Sequence, residues 1–137
     1  MITHLLDTSA LLAHNQNEPG AAQVTALLAL GPDAVAISAL TLIELKGRLR
    51  ELIPDPAEVE RLFHAYTNTL NRTLPVTAEV ALLAIMLREQ HRPRVPLVDS
   101  VIAATAKAHN VILVHRDPHL AAIPTAEVPQ IVLPQKG

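Results

Sequence analysis

The chain has 137 residues, half of them apolar, with 11 basic residues against 13 acidic ones and a formal net charge of −2. The apolar share excludes a disordered tail, and the length suits one domain, residues 1–137, with a proper core. The absence of cysteine excludes a disulfide framework, thiol chemistry and thiolate zinc sites, while the charge balance leaves nucleic-acid contact to a local patch.

Ile2 to Leu6 is a short apolar run ending at Asp7, and Thr8 and Ser9 are suited to cap a helix that begins at Ala10. Asn15 to Gly20 is turn chemistry, and Ala21 to Leu30 reads as a helix stopped by Gly31-Pro32. Ala34 to Ile37 is a candidate buried strand, after which Ser38 caps a helix over Ala39 to Leu52, terminated by Pro54. Asp55-Pro56 opens a helix to about Asn71, Leu74 to Val76 is a short extended piece, and Thr77 precedes a helix running to Gln90. A loop containing Pro93 and Pro96 leads to an Ala-rich helix over Val98 to His109. Val111 to Val114, β-branched and apolar, is the most strand-like run; a short helix from Asp117-Pro118 and a last strand over Gln130 to Leu133 follow.

The longest apolar stretch, Val80 to Leu87, is far short of the roughly twenty residues a membrane span needs, so it reads as a buried helix segment. The N-terminus lacks the basic start of a signal peptide, and the expectation is a cytoplasmic protein with no membrane association. Short apolar strands alternating with helices point to an α/β fold with a parallel sheet covered on both faces.

In such sheets ligands bind beyond the carboxyl ends of the strands, where Asp7 and Asp117 fall. Each also has a plain reading as a helix cap. Glu44 lies off the apolar stripe of Leu42, Leu45, Leu49 and Leu52. It is either a solvated partner of Arg48 or a site residue, and Gly47 beside it suggests a close approach by a neighbour. Asp99 stands in the first turn of a nearly apolar helix, where the helix dipole favours it but burial is expensive unless it is paired or metal-bound. If Asp7, Glu44, Asp99 and Asp117 converge, their mutual repulsion calls for a divalent cation, and all-oxygen ligands select Mg²⁺ or Mn²⁺. Carboxylate-held metals of this kind serve phosphodiester hydrolysis.

These residues also carry a resemblance. Leu5-Leu6-Asp7-Thr8-Ser9-Ala10-Leu11-Leu12 resembles the opening of PIN-domain ribonucleases, and Ser38-Ala39-Leu40-Thr41-Leu42-Ile43-Glu44-Leu45 resembles their second motif. Pro96 to Ala106, centred on Asp99, resembles the third, and Val111 to Asp117 the strand leading to the fourth acid. The small form looks like the VapC toxin of toxin–antitoxin pairs. The resemblance implies a three-layer α/β/α sandwich around a parallel sheet, an Mg²⁺ or Mn²⁺ site and endonucleolytic cleavage of RNA. It implies that Asp7, Glu44 and Asp99 are core ligands, that Asp117 completes the site, and that Ser9 hydrogen-bonds behind them. The chain departs from the pattern at His115, where Thr or Ser is expected, and at His119, where an Asp is common.

Phe63 and Tyr66 are the only Phe and Tyr, too few for a base-stacking platform, so RNA contact falls to phosphate-binding residues. Candidates are Arg48, Arg92, Arg94 and Arg116, with His115 either reaching a phosphate or simply ending a strand. The apolar faces of Ala21 to Leu30 and Ala39 to Leu52 lead us to expect a homodimer and capture of a cognate antitoxin. Two other readings stay open. One is a PIN-like interaction module without turnover. The other is an aspartate-based phosphoryl-transfer domain, disfavoured because Asp7-Thr8-Ser9 lacks a second acid.

Overall fold

Five short runs form one sheet in the computed structural model, which describes residues 1–136. In chain order the elements are β1 (His4–Leu6), α1 (Thr8–Asn15), α2 (Ala21–Leu28), β2 (Val35–Ser38), α3 (Ala39–Leu52) and α4 (Pro56–Thr69). They continue with β3 (Arg72–Leu74), α5 (Ala78–Gln90), α6 (Leu97–His109), β4 (Ile112–His115), α7 (Pro118–Ala121) and β5 (Gln130–Val132). The strand order is β3-β2-β1-β4-β5, every pairing is parallel, and Leu5 lies opposite both Ala36 and Leu113.

The period-two alternation of a strand divides the core into two layers. Leu5, Ala36 and Leu113 face one cluster, shared with Ala84 and Leu87 of α5 and Ile102 of α6. Their chain neighbours Leu6, Ile37 and Val114 face the other, shared with Leu11 of α1, Leu45 and Leu49 of α3 and Val59 of α4. Helices therefore cover both faces of a parallel sheet, as the alternating pattern implied, in the α/β/α sandwich that the resemblance implied.

Polar caps set the helix starts. Ser38 Oγ accepts from the Leu40 amide at 3.1 Å, Asp55 Oδ1 from Ala57 at 3.0 Å, and Thr77 Oγ1 from Val80 at 3.2 Å. The third strand lies two residues earlier than the sequence suggested, because pairing with β2 joins Ala36 to Arg72 and Ser38 to Leu74. Gly47 departs from expectation in another way: a Cβ there meets nothing within 4 Å, so no neighbour approaches it closely.

The apolar surface is also redistributed. Within Val80 to Leu87, Val80, Ala84 and Leu87 are buried, but Leu82, Ile85 and Met86 are exposed, since eight consecutive helical residues span more than two turns. With Leu97 and Val98 at the start of α6 they make the largest concentration of exposed aliphatic side chains among the described residues. The helices α2 and α3, expected to hold that surface, contribute Ile43 and Leu52 from α3, with Leu30 just past α2. No helix among the described residues is long and apolar enough to cross a membrane.

Candidate functional site

The strand order turns at β1, whose successor β2 lies on one side while β4 lies on the other. The crevice beyond the carboxyl ends of β1 and β4 is where the predicted acids meet. Asp7 directly follows β1, and its amide donates to the Val114 carbonyl at 3.0 Å, extending the pairing with β4 by one residue. It occupies the N-cap position of α1 yet its side chain makes no capping bond. Instead Asp7 Oδ2 accepts from Ser9 Oγ at 2.9 Å, and Ser9 Oγ in turn accepts from the Arg116 amide at 3.0 Å. The helical turn between them aims Thr8 the other way, so that Thr8 Oγ1 donates to Glu44 Oε1 on α3 at 2.9 Å. Three consecutive residues thus supply one acid and orient a second.

The other two acids come from helix starts. Asp99 lies in the first turn of α6, and Asp117 caps α7, with Asp117 Oδ1 accepting from the His119 amide at 2.7 Å. His119 Nδ1 stands 3.3 Å from Asp117 Oδ1 and 3.9 Å from Asp99 Oδ2. Asp7, Glu44, Asp99 and Asp117 line one cleft of about 300 Å³ together with Thr8, Ser9, Leu12, Arg48 and Arg116. All four acids and Ser9 are therefore brought together. Asp117 satisfies both of its readings, as a cap and as a cleft residue.

Electrostatics register the convergence. Burial, followed by the charges of Asp117 and Asp7, pushes the Asp99 carboxyl up to about 7, with His119 opposing. Burial also raises Asp7, against the Ser9 hydroxyl and the nearby Thr8 and Ser9 amides, and the Asp117 charge adds to the rise. Glu44 rises by burial, resisted by the Thr8 hydroxyl and reinforced by Asp7 and Asp117. All three shifts carry the charge of Asp117, and those of Glu44 and Asp99 also carry that of Asp7, a crowding of like charge that a hard divalent cation relieves. The donor set, carboxylate oxygens with one imidazole at the edge, suits such an ion.

The basic candidates separate. Arg48 and Arg116 line the cleft, Arg48 paired with Glu51 and Arg116 with Glu18, which also takes Lys136. Arg92 and Arg94 line a neighbouring hollow that reaches His119, and Arg92 Nη1 donates to the carbonyls of Arg88, Glu89 and His91 around the end of α5. His115 requires a correction as an RNA contact: it is 0% exposed. Its Nδ1 accepts from the Asp117 amide at 2.9 Å, so its Nε2 carries the hydrogen directed at Gln130 Oε1, 2.7 Å away. Gln130 then donates to the Ile123 carbonyl at 2.8 Å. His115 fixes the loop that presents Asp117 and has no solvent-facing edge. Sequence reasoning missed Thr8 as the residue orienting Glu44; its hydroxyl directly after an acid was read only as a cap.

The molecule is thus an α/β/α sandwich protein with a carboxylate-lined cleft where its strand order reverses. The PIN domain family model matches residues 4–125, and the chain belongs to that family. Among solved structures it resembles a DNA-bound VapBC from Salmonella typhimurium, with a TM-score of 0.80 and 19% identity over 96% of this chain and 98% of that one. It also resembles FitAcB from Neisseria gonorrhoeae, with a TM-score of 0.74 and 26% identity over 94% and 96% of the two chains. A third is VapBC-5 of the VapBC toxin–antitoxin family from Mycobacterium tuberculosis, with a TM-score of 0.63 and 27% identity over 96% and 99%. No curated protein sequence matches the chain significantly.

Proposed function

We propose that this protein is a divalent-metal-dependent endoribonuclease and the toxin of a toxin–antitoxin pair, built as one PIN domain. The observation that carries the reading is the convergence of Asp7, Glu44, Asp99 and Asp117 on one cleft, with three of their carboxyls raised by burial and mutual charge. These four residues would hold Mg²⁺ or Mn²⁺. Bound there, the ion would supply Lewis acidity toward a phosphodiester and would lower the pKa of a water bound to it.

The chain's own residues do the remainder. Ser9 holds Asp7 in orientation while bracing the Arg116 amide, and Thr8 holds Glu44. Arg48 and Arg116 flank the acids, where a polyanion entering a negatively charged cleft needs positive neighbours. Arg92 and Arg94 extend that positive border around the hollow at His119. The toxin assignment is supported by the VapBC toxin–antitoxin family described for one of the similar structures. On this reading a cognate antitoxin restrains the enzyme, and a second copy of the chain covers the exposed face of Leu82, Ile85, Met86 and Leu97.

The test is cleavage of total cellular RNA by purified, antitoxin-free protein with Mn²⁺ or Mg²⁺ against EDTA, beside Asp7→Asn. Discrete fragments that require metal and vanish in the variant support the enzyme. Intact RNA under metal-loaded conditions transfers the assignment to an interaction module without turnover. Elution of Leu82→Lys/Ile85→Lys at half the mass of a dimeric parent would support the assembly; a parent that is monomeric at micromolar concentration would remove it.

A further inference from the structure

We propose that His119 is a nitrogen ligand of the cation held by Asp99 and Asp117, and that its imidazole biases the centre toward Mn²⁺ over Mg²⁺. This rests on the metal-centre reading above and adds a ligand to it.

Three observations support the assignment. One ligand atom each from Asp99, Asp117 and His119 lies within 4.8 Å of the other two. Ligands of an octahedral ion with bonds of about 2.1 Å lie about 3 Å apart when adjacent and about 4.2 Å apart when opposite. The separations of His119 Nδ1 from Asp117 Oδ1, 3.3 Å, and from Asp99 Oδ2, 3.9 Å, fall within that range. Second, the ring is placed by its own backbone: the His119 amide donates to Asp117 Oδ1 at 2.7 Å, and Pro118 between them restricts the turn. Third, the other imidazole of this loop is committed elsewhere, because both nitrogens of His115 are engaged inside the protein.

A simple ion pair explains the arrangement less well. His119 is 62% exposed and 3.9 Å from Asp99, the kind of contact that contributes little in water. As a ligand, the same ring changes the chemistry of the site. Mg²⁺ is a hard ion that keeps oxygen ligands and waters, whereas imidazole suits transition ions. One nitrogen in an otherwise carboxylate set therefore raises affinity for Mn²⁺ relative to Mg²⁺.

The experiment is electron spin-echo envelope modulation on the full chain loaded with one equivalent of Mn²⁺, together with calorimetric titration of Mn²⁺ and of Mg²⁺. The parent is expected to show modulation from a directly coordinated nitrogen, and His119→Ala and His119→Asp are expected to lose it. The Mn²⁺-to-Mg²⁺ affinity ratio should fall by about tenfold in His119→Asp. Mn²⁺ that binds the parent and depends on Asp99, yet shows no nitrogen coupling, overturns the role of His119 alone. Nitrogen modulation that persists in His119→Ala, or an affinity ratio unchanged in His119→Asp, does the same. Failure of Mn²⁺ to bind the parent, or binding indifferent to Asp99→Asn, overturns the metal centre and this proposal together.

Discussion

The deep and outer halves of the cleft handle buried charge differently. In the deep half, Asp7 is 5% exposed, yet it accepts from Ser9, while Thr8 donates to Glu44. In the outer half, Asp99 has no hydrogen-bond donor among the described residues, its basic neighbour His119 is 3.9 Å away, and its carboxyl is pushed up to about 7. Local donors oppose desolvation at Asp7 and Glu44 without overcoming it, whereas Asp99 has no such donor and its relief is left to whatever binds. The deep half is therefore preorganised by the fold, and the outer half is completed by what binds.

The sharpest way to break this contrast is to neutralise one acid in each half. Asp7→Asn and Asp99→Asn should both lower metal-dependent RNA cleavage by on the order of a hundredfold or more, with circular dichroism unchanged. Activity retained in either variant would remove that acid from the centre. Next in size, Ser9→Ala should weaken Mn²⁺ binding by about tenfold, since it frees both Asp7 and the Arg116 amide. An unaltered titration would show that the deep half needs no hydroxyl brace.

The outer half should also show itself in metal-free stability. The folded-state value of Asp99 lies above its ordinary 3.8, so folding takes up a proton between the two. The corresponding stability is fully present below pH 3.8 and is lost as pH rises through about 7. Denaturant titrations in EDTA should show that decline, and Asp99→Asn should reduce it, gaining on the order of 1 kcal/mol over the parent at pH 8. A parent whose stability rises across this interval would contradict the contrast. The smallest expected effect is a control outside both halves: Gly47→Ala, in the same helix as Glu44, should stabilise by about 0.5–1 kcal/mol without altering cleavage. A loss of activity there would mean that the helix must flex to hold Glu44.

Where local chemistry decides the structure, the sequence was legible. Ser38 caps α3, whose span over Ala39–Leu52 is the predicted one, and Asp55-Pro56 and Thr77 mark the next two long helices. Asp99 could be singled out because an acid in an apolar first turn conflicts with burial. The third strand was less legible, since its position follows from pairing with β2 rather than from its own residues. The surface of α5 was misread because a continuous apolar run carries no period to show which side faces outward. His115 was ambiguous for a related reason: its burial depends on Gln130, fifteen residues away across the sheet.

The strand order also dictates when the site comes into being during folding. Asp7, Ser9 and Glu44 belong to the first third of the chain, Asp99, Asp117 and His119 to the last, and the bond from the Arg116 amide to Ser9 joins residues 107 apart. Neither stretch contains the full set of like charges. The repulsion between the two groups therefore arises only when β4 docks beside β1. On the proposed metal-centre reading, a cation present at that step would also be an assembly factor, and adding Mn²⁺ to the refolding buffer should speed docking in the parent more than in Asp99→Asn.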